Sequence, residues 1–309
     1  MKTAVTGATG FIGLQLVELL QRQEPEADVV LLVRDRPRAE KLFPRAFFPR
    51  VTAVGYTPEH LGAWVTALEG CDRLVNLAGE PIATQPWTKR RKRELQQSRV
   101  LTTQVLVEAL REAKATPQVM VSGSAIGYYG TDPAKEFDDY SFAGDDFLAE
   151  LCQQWEGAAA AVQELGTRLV LLRTGIVLGM GGVLARILPL FQAGVGGVLG
   201  SGRQWFSWIH RQDMTALIYY ALTHPTVVGP LNGTAPQPVT NLEFTRALSR
   251  AVQRPAVVPV PAFALQILLG ESSVLVLDGQ KVLPKKALAQ GFQFQYPEID
   301  SALAQILAS

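Results

Sequence analysis

Short, almost uninterrupted apolar runs alternate, through the first 180 residues, with stretches whose apolar positions recur every three or four residues. The first run, Lys2 to Thr6, is rich in β-branched residues, and from Phe11 onward Phe11, Ile12, Leu16, Leu19 and Leu20 repeat at helical spacing. Further strand-like runs lie at 29–33, 51–54, 74–78, 119–122 and 169–172, with helical patterns at 58–69, 89–113 and 145–165 between them. Strands apolar on both faces, separated by amphipathic helices, predict an α/β chain built on a doubly wound parallel sheet. Proline and glycine gather at 194–202 and 225–238, where loops and a smaller C-terminal α/β lobe are expected. No internal repeat or low-complexity segment interrupts this pattern.

Composition narrows the picture. A chain of 309 residues with 48% hydrophobic content can bury a large core, and a net charge of +1 provides no field that would draw it to nucleic acid or a membrane surface. Two cysteines, Cys71 and Cys152, make no disulfide framework and fit a reducing compartment. No apolar run approaches the roughly 18 residues of a membrane span, and the N-terminus enters its first strand without a basic-then-apolar leader. A soluble, cytoplasmic chain is the expectation. His60, His210 and His224 are scattered without metal-ligand spacing, so no metal is expected.

The candidate chemistry begins at Thr6-Gly7-Ala8-Thr9-Gly10-Phe11-Ile12-Gly13, between the first strand and the first helix. Gly7 permits a tight turn, Gly10 lets backbone approach a pyrophosphate, and Gly13 allows close packing of helix on strand. Free N–H groups at the helix start would face the phosphates, aided by the helix dipole. The alternative is a glycine turn with a purely structural role. At the end of the second strand, Arg34, followed by Arg36 and Arg38, suits the 2′-phosphate of NADP(H), where an acidic residue would suit NAD; a solvated basic turn beside Asp35 is the other reading. Asn76-Leu77-Ala78-Gly79-Glu80 places small residues where a cofactor would pass the fourth strand, though Asn76 would also serve as a strand-end cap. The basic run Lys89 to Arg93 lacks aromatic interleaving and reads as a solvated helix face, with a partner or phosphate contact as the alternative.

The glycine spacing in "TGATGFIG" resembles the extended branch of the short-chain dehydrogenase/reductase superfamily, and with it a Rossmann domain. The resemblance implies residues 1–180 as the NADP-binding domain, its core continuing in parts of 205–235. It implies residues 181–309 as the substrate-side lobe, with 255–309 its terminal segment. Asn76 to Glu80 looks like the superfamily's Asn-Asn-Ala-Gly element, and Ser124, in Ser122-Gly123-Ser124-Ala125-Ile126-Gly127-Tyr128-Tyr129-Gly130, matches its catalytic serine. A serine-rich turn is the plain reading of that segment. Arg99 takes the place of an asparagine common in extended members and is assigned to the substrate side, against the commoner case of a surface arginine. Arg173, in "LRTGIVLG", matches a segment that closes over the nicotinamide. His210 is placed on the substrate side by a Trp-Ile-His-x-x-Asp turn in which the His or Asp usually has a capping part, and Asp213 is read as a helix start.

The superfamily's Tyr-x-x-x-Lys pair, in which lysine and the positive nicotinamide lower the tyrosine pKa, is missing. No tyrosine in the chain is followed four residues later by lysine. Aligning Glu156 with the family's usual glutamate puts Leu148 at the tyrosine position and Cys152 at the lysine position. Tyr128 or Tyr129 is left as a substitute acid. "NLAGEPI", "GYYG", "GDDFLAE", "LRTGIVLG" and the tail "VPVPAFALQILLGESSVLVLDGQKVLPKKALAQGF" together resemble an atypical epimerase-like family with a small C-terminal domain. That family implies an NADP(H)-binding epimerase or oxidoreductase of unknown small-molecule substrate. Some cyanobacterial and plastid members are labelled SulA-like cell-division inhibitors, which implies instead a redox-inert regulator with a protein partner in the division machinery. Extended members often pair through two helices, here about 89–113 and 145–165.

Overall fold

Val29, Leu31 and Val33 lie buried in one apolar cluster, and the intervening Val30 and Leu32 in another. A strand with successive side chains on opposite faces, both covered, belongs in the middle of a three-layer sandwich. The structure, a computed structural model, describes residues 1–308. Its first strands are β1 (Lys2–Thr6), β2 (Asp28–Val33), β3 (Val51–Gly55), β4 (Arg73–Asn76), β5 (Val119–Ala125) and the short β6 (Glu136–Phe137). Then follow β7 (Arg168–Thr174), β8 (Ile176–Leu178), β9 (Trp205–Phe206), β10 (Trp208–His210), β11 (Gly229–Gly233), β12 (Val239–Thr240) and β13 (Lys281–Val282). Seven of them form one all-parallel sheet in the order β11-β7-β5-β4-β1-β2-β3. The chain winds outward from β1 through β2 to β3, then returns to β4 on β1's other side. A crevice therefore opens at the carboxyl ends of β1 and β4, the switch point where such sheets bind ligands.

One face carries α1 (Phe11–Gln23) and α2 (Arg36–Leu42). The other carries a 3-10 turn at Ala63–Leu68, and then α3 (Lys89–Gln96), α4 (Thr102–Glu112) and α5 (Phe147–Ala160). The second lobe is built on α6 (Gly182–Gln192), while α7 (Arg211–Thr223) returns to pack beside α1. After α8 (Asn241–Val252), the last segment holds α9 (Ala262–Leu269), α10 (Val274–Leu277), α11 (Lys285–Ala289) and α12 (Ile299–Ala308). Helices α6, α8 and α12 share a core around Leu184, Trp208, Phe244 and Leu303. The terminal segment also reaches back to the segment after β5, where β13 pairs in parallel with β6.

The periodicity is corrected at several places. The expected helix at 58–69 is only the 3-10 turn, preceded by Gly62 in extended backbone. The expected helix at 89–113 is broken by a π-helical turn, Gln97–Leu101. The pattern at 145–165 yields α5 followed by a 3-10 turn at Ala161–Leu165, and β4 stops at Asn76. Helix α2 was not expected, since it buries only Ala39; Asp35 starts it by accepting the Arg38 N–H at 3.0 Å. Nor is the basic run of α3 wholly solvated: Arg91 is buried and donates to the Pro81 carbonyl at 2.6 Å.

Candidate active site

At the β1–α1 turn, two of the three glycines are fixed by packing. Gly7 sits at φ +68°, and a Cβ there would lie 2.6 Å from the Leu77 carbonyl oxygen; one at Gly13 would lie 2.2 Å from the Gly7 oxygen. Gly10 differs. It is exposed, and its Cβ would meet only the Gly7 oxygen at 3.1 Å. Helix α1 begins after Gly10 with no side-chain cap and no acidic residue in its first turn. The N–H groups of Phe11, Ile12 and Gly13 precede the helix's own i→i−4 ladder and sit at the positive end of the helix dipole. Thr9 is half-buried beside them. The Phe11 ring wedges against Gly181 and Gly182, while the Arg211 guanidinium lies 4.8 Å above it with no carboxylate partner among the described residues. Arg211 was not legible as a site residue, being 200 positions from the turn it covers.

Thr6 and Asn76, both read as cofactor contacts, turn inward instead. Both are fully buried: the Thr6 hydroxyl donates to Asn76 Oδ1 at 2.7 Å and accepts the Ala78 N–H at 3.2 Å. Asn76 Nδ2 donates to Thr103 Oγ1 at 2.9 Å. Their side chains tie β1, β4 and α4 together, and so position the turn rather than touch a ligand. At the end of β2, Arg34 is exposed and bonds Glu80 Oε1 at 3.0 Å. Arg36 is engaged by Glu40 at 2.7 Å. Glu80 is held through its own peptide group. Its N–H donates to Ser98 Oγ at 3.1 Å, and its carbonyl accepts from Arg99 Nη2 at 2.9 Å. The π-helical turn lets neighbouring residues 98 and 99 reach the same peptide, a local widening often found at functional sites. Arg99 also lies over Trp155 and against Gly79, without a carboxylate partner among the described residues, and burial lowers its pKa.

At the carboxyl end of β5, Ser124 is buried and donates to Glu156 Oε1 at 2.6 Å. Glu156 is gripped by Arg173, Nε to Oε1 at 2.8 Å and Nη2 to Oε2 at 2.9 Å. Arg173 also donates to the Tyr129 hydroxyl at 3.1 Å and lies 3.4 Å from the centre of the Tyr128 ring. This corrects its assignment to the cofactor: every guanidinium nitrogen already has a protein partner. Burial opposes its charge, but the Glu156 carboxylate outweighs that and raises its pKa. Tyr129, read as a substitute acid, is committed to this buried network. Burial pushes its phenol up to about 12 despite the Arg173 charge, and the hydroxyl donates to Asn232 Oδ1 at 2.7 Å. Leu148 lies against Gly127, and Cys152 Sγ bonds the Ala125 carbonyl at 3.7 Å, so the superfamily's tyrosine and lysine positions do face the site but carry an apolar chain and a thiol. Burial and the Glu156 charge raise that thiol to about 11.

Residues 3–232 match the NAD dependent epimerase/dehydratase family, and residues 260–306 match a domain of unknown function. The chain belongs to the NAD-dependent epimerase/dehydratase family. It is 44% identical over 310 residues to the chloroplastic epimerase family protein SDR39U1 homolog of Arabidopsis thaliana, covering 99% of this chain and 87% of that one. It is 37% identical to human epimerase family protein SDR39U1, covering 100% of both. A crystal structure of human SDR39U1 (isoform 2) with NADPH superposes with TM-score 0.85 at 34% identity, covering 100% of both chains. A nucleoside-diphosphate sugar epimerase from Corynebacterium glutamicum gives 0.78 at 32% identity, covering 99% of this chain and 58% of that one.

The open face of Gly10 and the uncapped first turn of α1 have the space and the polarity that a pyrophosphate needs. His210, by contrast, is not a substrate contact. It is buried as the N-cap of α7: Nδ1 accepts the Gln212 N–H at 3.1 Å, so Nε2 carries the proton and donates to Gln305 Oε1 at 2.8 Å. Burial lowers its pKa to about 4, helped by the Arg211 charge, so the ring is neutral. Helix α7 therefore starts at Arg211, not at Asp213, whose carboxylate accepts the Gln295 and Tyr296 N–H groups at 2.8 and 2.9 Å. Glu156 and Trp155, which pack behind Ser124 and Gly123, were missed as residues that shape the site. Glu156 carried a signal, its alignment with the family glutamate, but nothing local announced Arg173 as its partner.

Proposed function

We propose that the chain binds NADP(H) across the switch point between β1 and β4 and uses it in a hydride-linked, epimerase-like reaction on a small molecule that enters beside Ser124. The observation that carries this reading is the uncapped start of α1 behind an exposed Gly10, backed by the NADPH-bound human relative that matches over the whole of both chains. Gly7, Gly10 and Gly13 shape the pyrophosphate seat, with Phe11 and Ile12 offering N–H groups and Thr9 beside them. Ala78 and Gly79 line the cofactor's path, and Arg34 meets the 2′-phosphate. When bound, NADP(H) supplies or accepts the hydride. The chain's part is to hold the substrate and handle its proton. The Ser124 proton already points to Glu156, so toward a substrate hydroxyl Ser124 is an acceptor, held in that orientation by the Glu156–Arg173 pair behind it.

Leu148 and Cys152 favour a second reading, a nucleotide-binding regulator without redox turnover that acts through a protein partner, since neither residue is an acid or base near neutral pH. Fluorescence titration with NADPH and NADH, followed by an NADPH-consumption screen against nucleotide sugars and small ketones, separates the two. Micromolar NADPH binding with turnover lost in Ser124→Ala supports the enzyme. Binding with no turnover on any substrate, together with NADPH-dependent recovery of a stoichiometric protein, supports the regulator. Absence of nucleotide binding defeats both.

A further inference from the structure

Glu80 is held in place more completely than a surface carboxylate needs. Its peptide is clamped on both sides, N–H to Ser98 and carbonyl from Arg99, and the next carbonyl, Pro81, accepts from the buried Arg91. Its side chain lies between two guanidinium groups, Arg34 at 3.0 Å from one carboxylate oxygen and Arg91 at 3.6 Å from the other. The two cations are unlike. Arg91 is buried, has a further partner in Glu94 at 3.1 Å, and keeps a buried Nε with no partner. The Arg34 side chain is 71% exposed, and Glu80 is the only carboxylate that reaches it within 4 Å among the described residues. Asp35, its neighbour in sequence, is turned away to cap α2.

From this arrangement we propose that Glu80 is a built-in anion that competes with the nucleotide's 2′-phosphate for Arg34, and so limits how strongly the site prefers NADP(H) over NAD(H). The inference rests on the nucleotide-binding reading above and adds a residue that acts against Arg34. Arg34 has to leave the Glu80 carboxylate to meet a phosphate dianion, and the fixed negative charge opposes that dianion. Glu80 is not stranded by the exchange, because Arg91 stays beside its other oxygen. Toward NAD(H) the same carboxylate is an acceptor suited to a ribose hydroxyl. Both effects have one sign: Glu80 narrows the gap between the two nucleotides.

The test is a nucleotide titration of Glu80→Gln, which keeps the peptide clamp and the side-chain length while removing the charge. The ratio of NADPH to NADH affinity should rise by about two- to fivefold at low salt, the scale of an exposed ion pair, and by less at high salt. In an Arg34→Ala background, Glu80→Gln should strengthen NADPH binding by clearly less than it does in wild type, because only the direct repulsion is left to relieve; a structural effect of the glutamine would be the same in both backgrounds. A ratio that stays level or falls in Glu80→Gln means that Glu80 merely steers Arg34, and overturns the inference while leaving nucleotide binding intact. Wild-type protein that binds neither nucleotide overturns both together.

Discussion

The two ends of the crevice are built by opposite means. At the β1–α1 turn the groups on offer are the backbone N–H donors of an uncapped helix start, and the side chains nearby, Thr6 and Asn76, are buried to support them. At the end of β5 the side chains carry the chemistry, and nearly all are already bonded to one another: Ser124 to Glu156, Glu156 to Arg173, Arg173 to Tyr129, Tyr129 to Asn232. The first end waits for a ligand's charge. The second is neutralised internally, and its stability and its chemistry depend on the same bonds. Mutations at the two ends should therefore separate binding from stability.

The largest effect is expected from Glu156→Ala. It leaves the Arg173 guanidinium buried without its carboxylate, and breaking such a pair costs about 3–5 kcal/mol. Denaturant unfolding should show the loss, and a mutant as stable as wild type would mean that the pair is not a structural unit. Gly10→Val should do the reverse. The side chain would fill the open face where a pyrophosphate is expected, weakening NADPH binding by about ten- to a hundredfold, as one fixed group displacing several charge-assisted hydrogen bonds would do. Its melting temperature should stay within a few degrees of wild type, because Gly10 has an ordinary φ of −85°. If that mutant unfolds while still binding nucleotide, the contrast between the two ends fails.

A smaller effect concerns pH and lies outside both ends. His210 is held neutral in the folded chain, with a pKa of about 4 against an ordinary 6.5. The unfolded chain binds that proton first, so stability should fall as pH drops from 6.5 toward 4 and level off below. Unfolding curves of wild type and His210→Gln across that window should diverge, the mutant losing less on acidification. Parallel curves would show that the imidazole does not contribute to the slope.

What was legible in the chain follows the same division. Local pattern carries the sheet: Val29 to Val33, Val119 to Val121 and Leu169 to Leu172 are apolar on both faces and found their places in it. The glycine turn was legible because its three residues, its strand and its helix are contiguous. Helix α2 was not, because its sequence, Arg-Pro-Arg-Ala-Glu-Lys-Leu, has almost no apolar face. The π-helical turn was hidden too, since one widened turn barely disturbs the spacing over 89–113. Side-chain direction was the deepest loss. Asn76, Arg173 and His210 occupy the positions the resemblance implied, but each points into the protein, toward Thr103, Glu156 and Gln305, partners between 17 and 95 residues away. No window on the sequence contains both members of such a pair.

Asp139 adds a consequence for the order of events during synthesis. Its buried carboxylate accepts the N–H groups of Asn232 at 2.6 Å and of Lys286 at 2.9 Å, the latter 147 residues further along the chain. Lys286 in turn donates to the Pro230 carbonyl at 2.9 Å, at the edge strand of the sheet. While the ribosome still holds the last fifth of the chain, this carboxylate has no second donor and β6 has no β13 beside it. The nascent sheet can therefore collapse early, yet it stays unlocked until the terminal segment emerges and threads back. A chain that stops short of residue 281 lacks that second donor and leaves β6 without its parallel neighbour, so the terminal segment closes contacts that the first 230 residues cannot close among themselves.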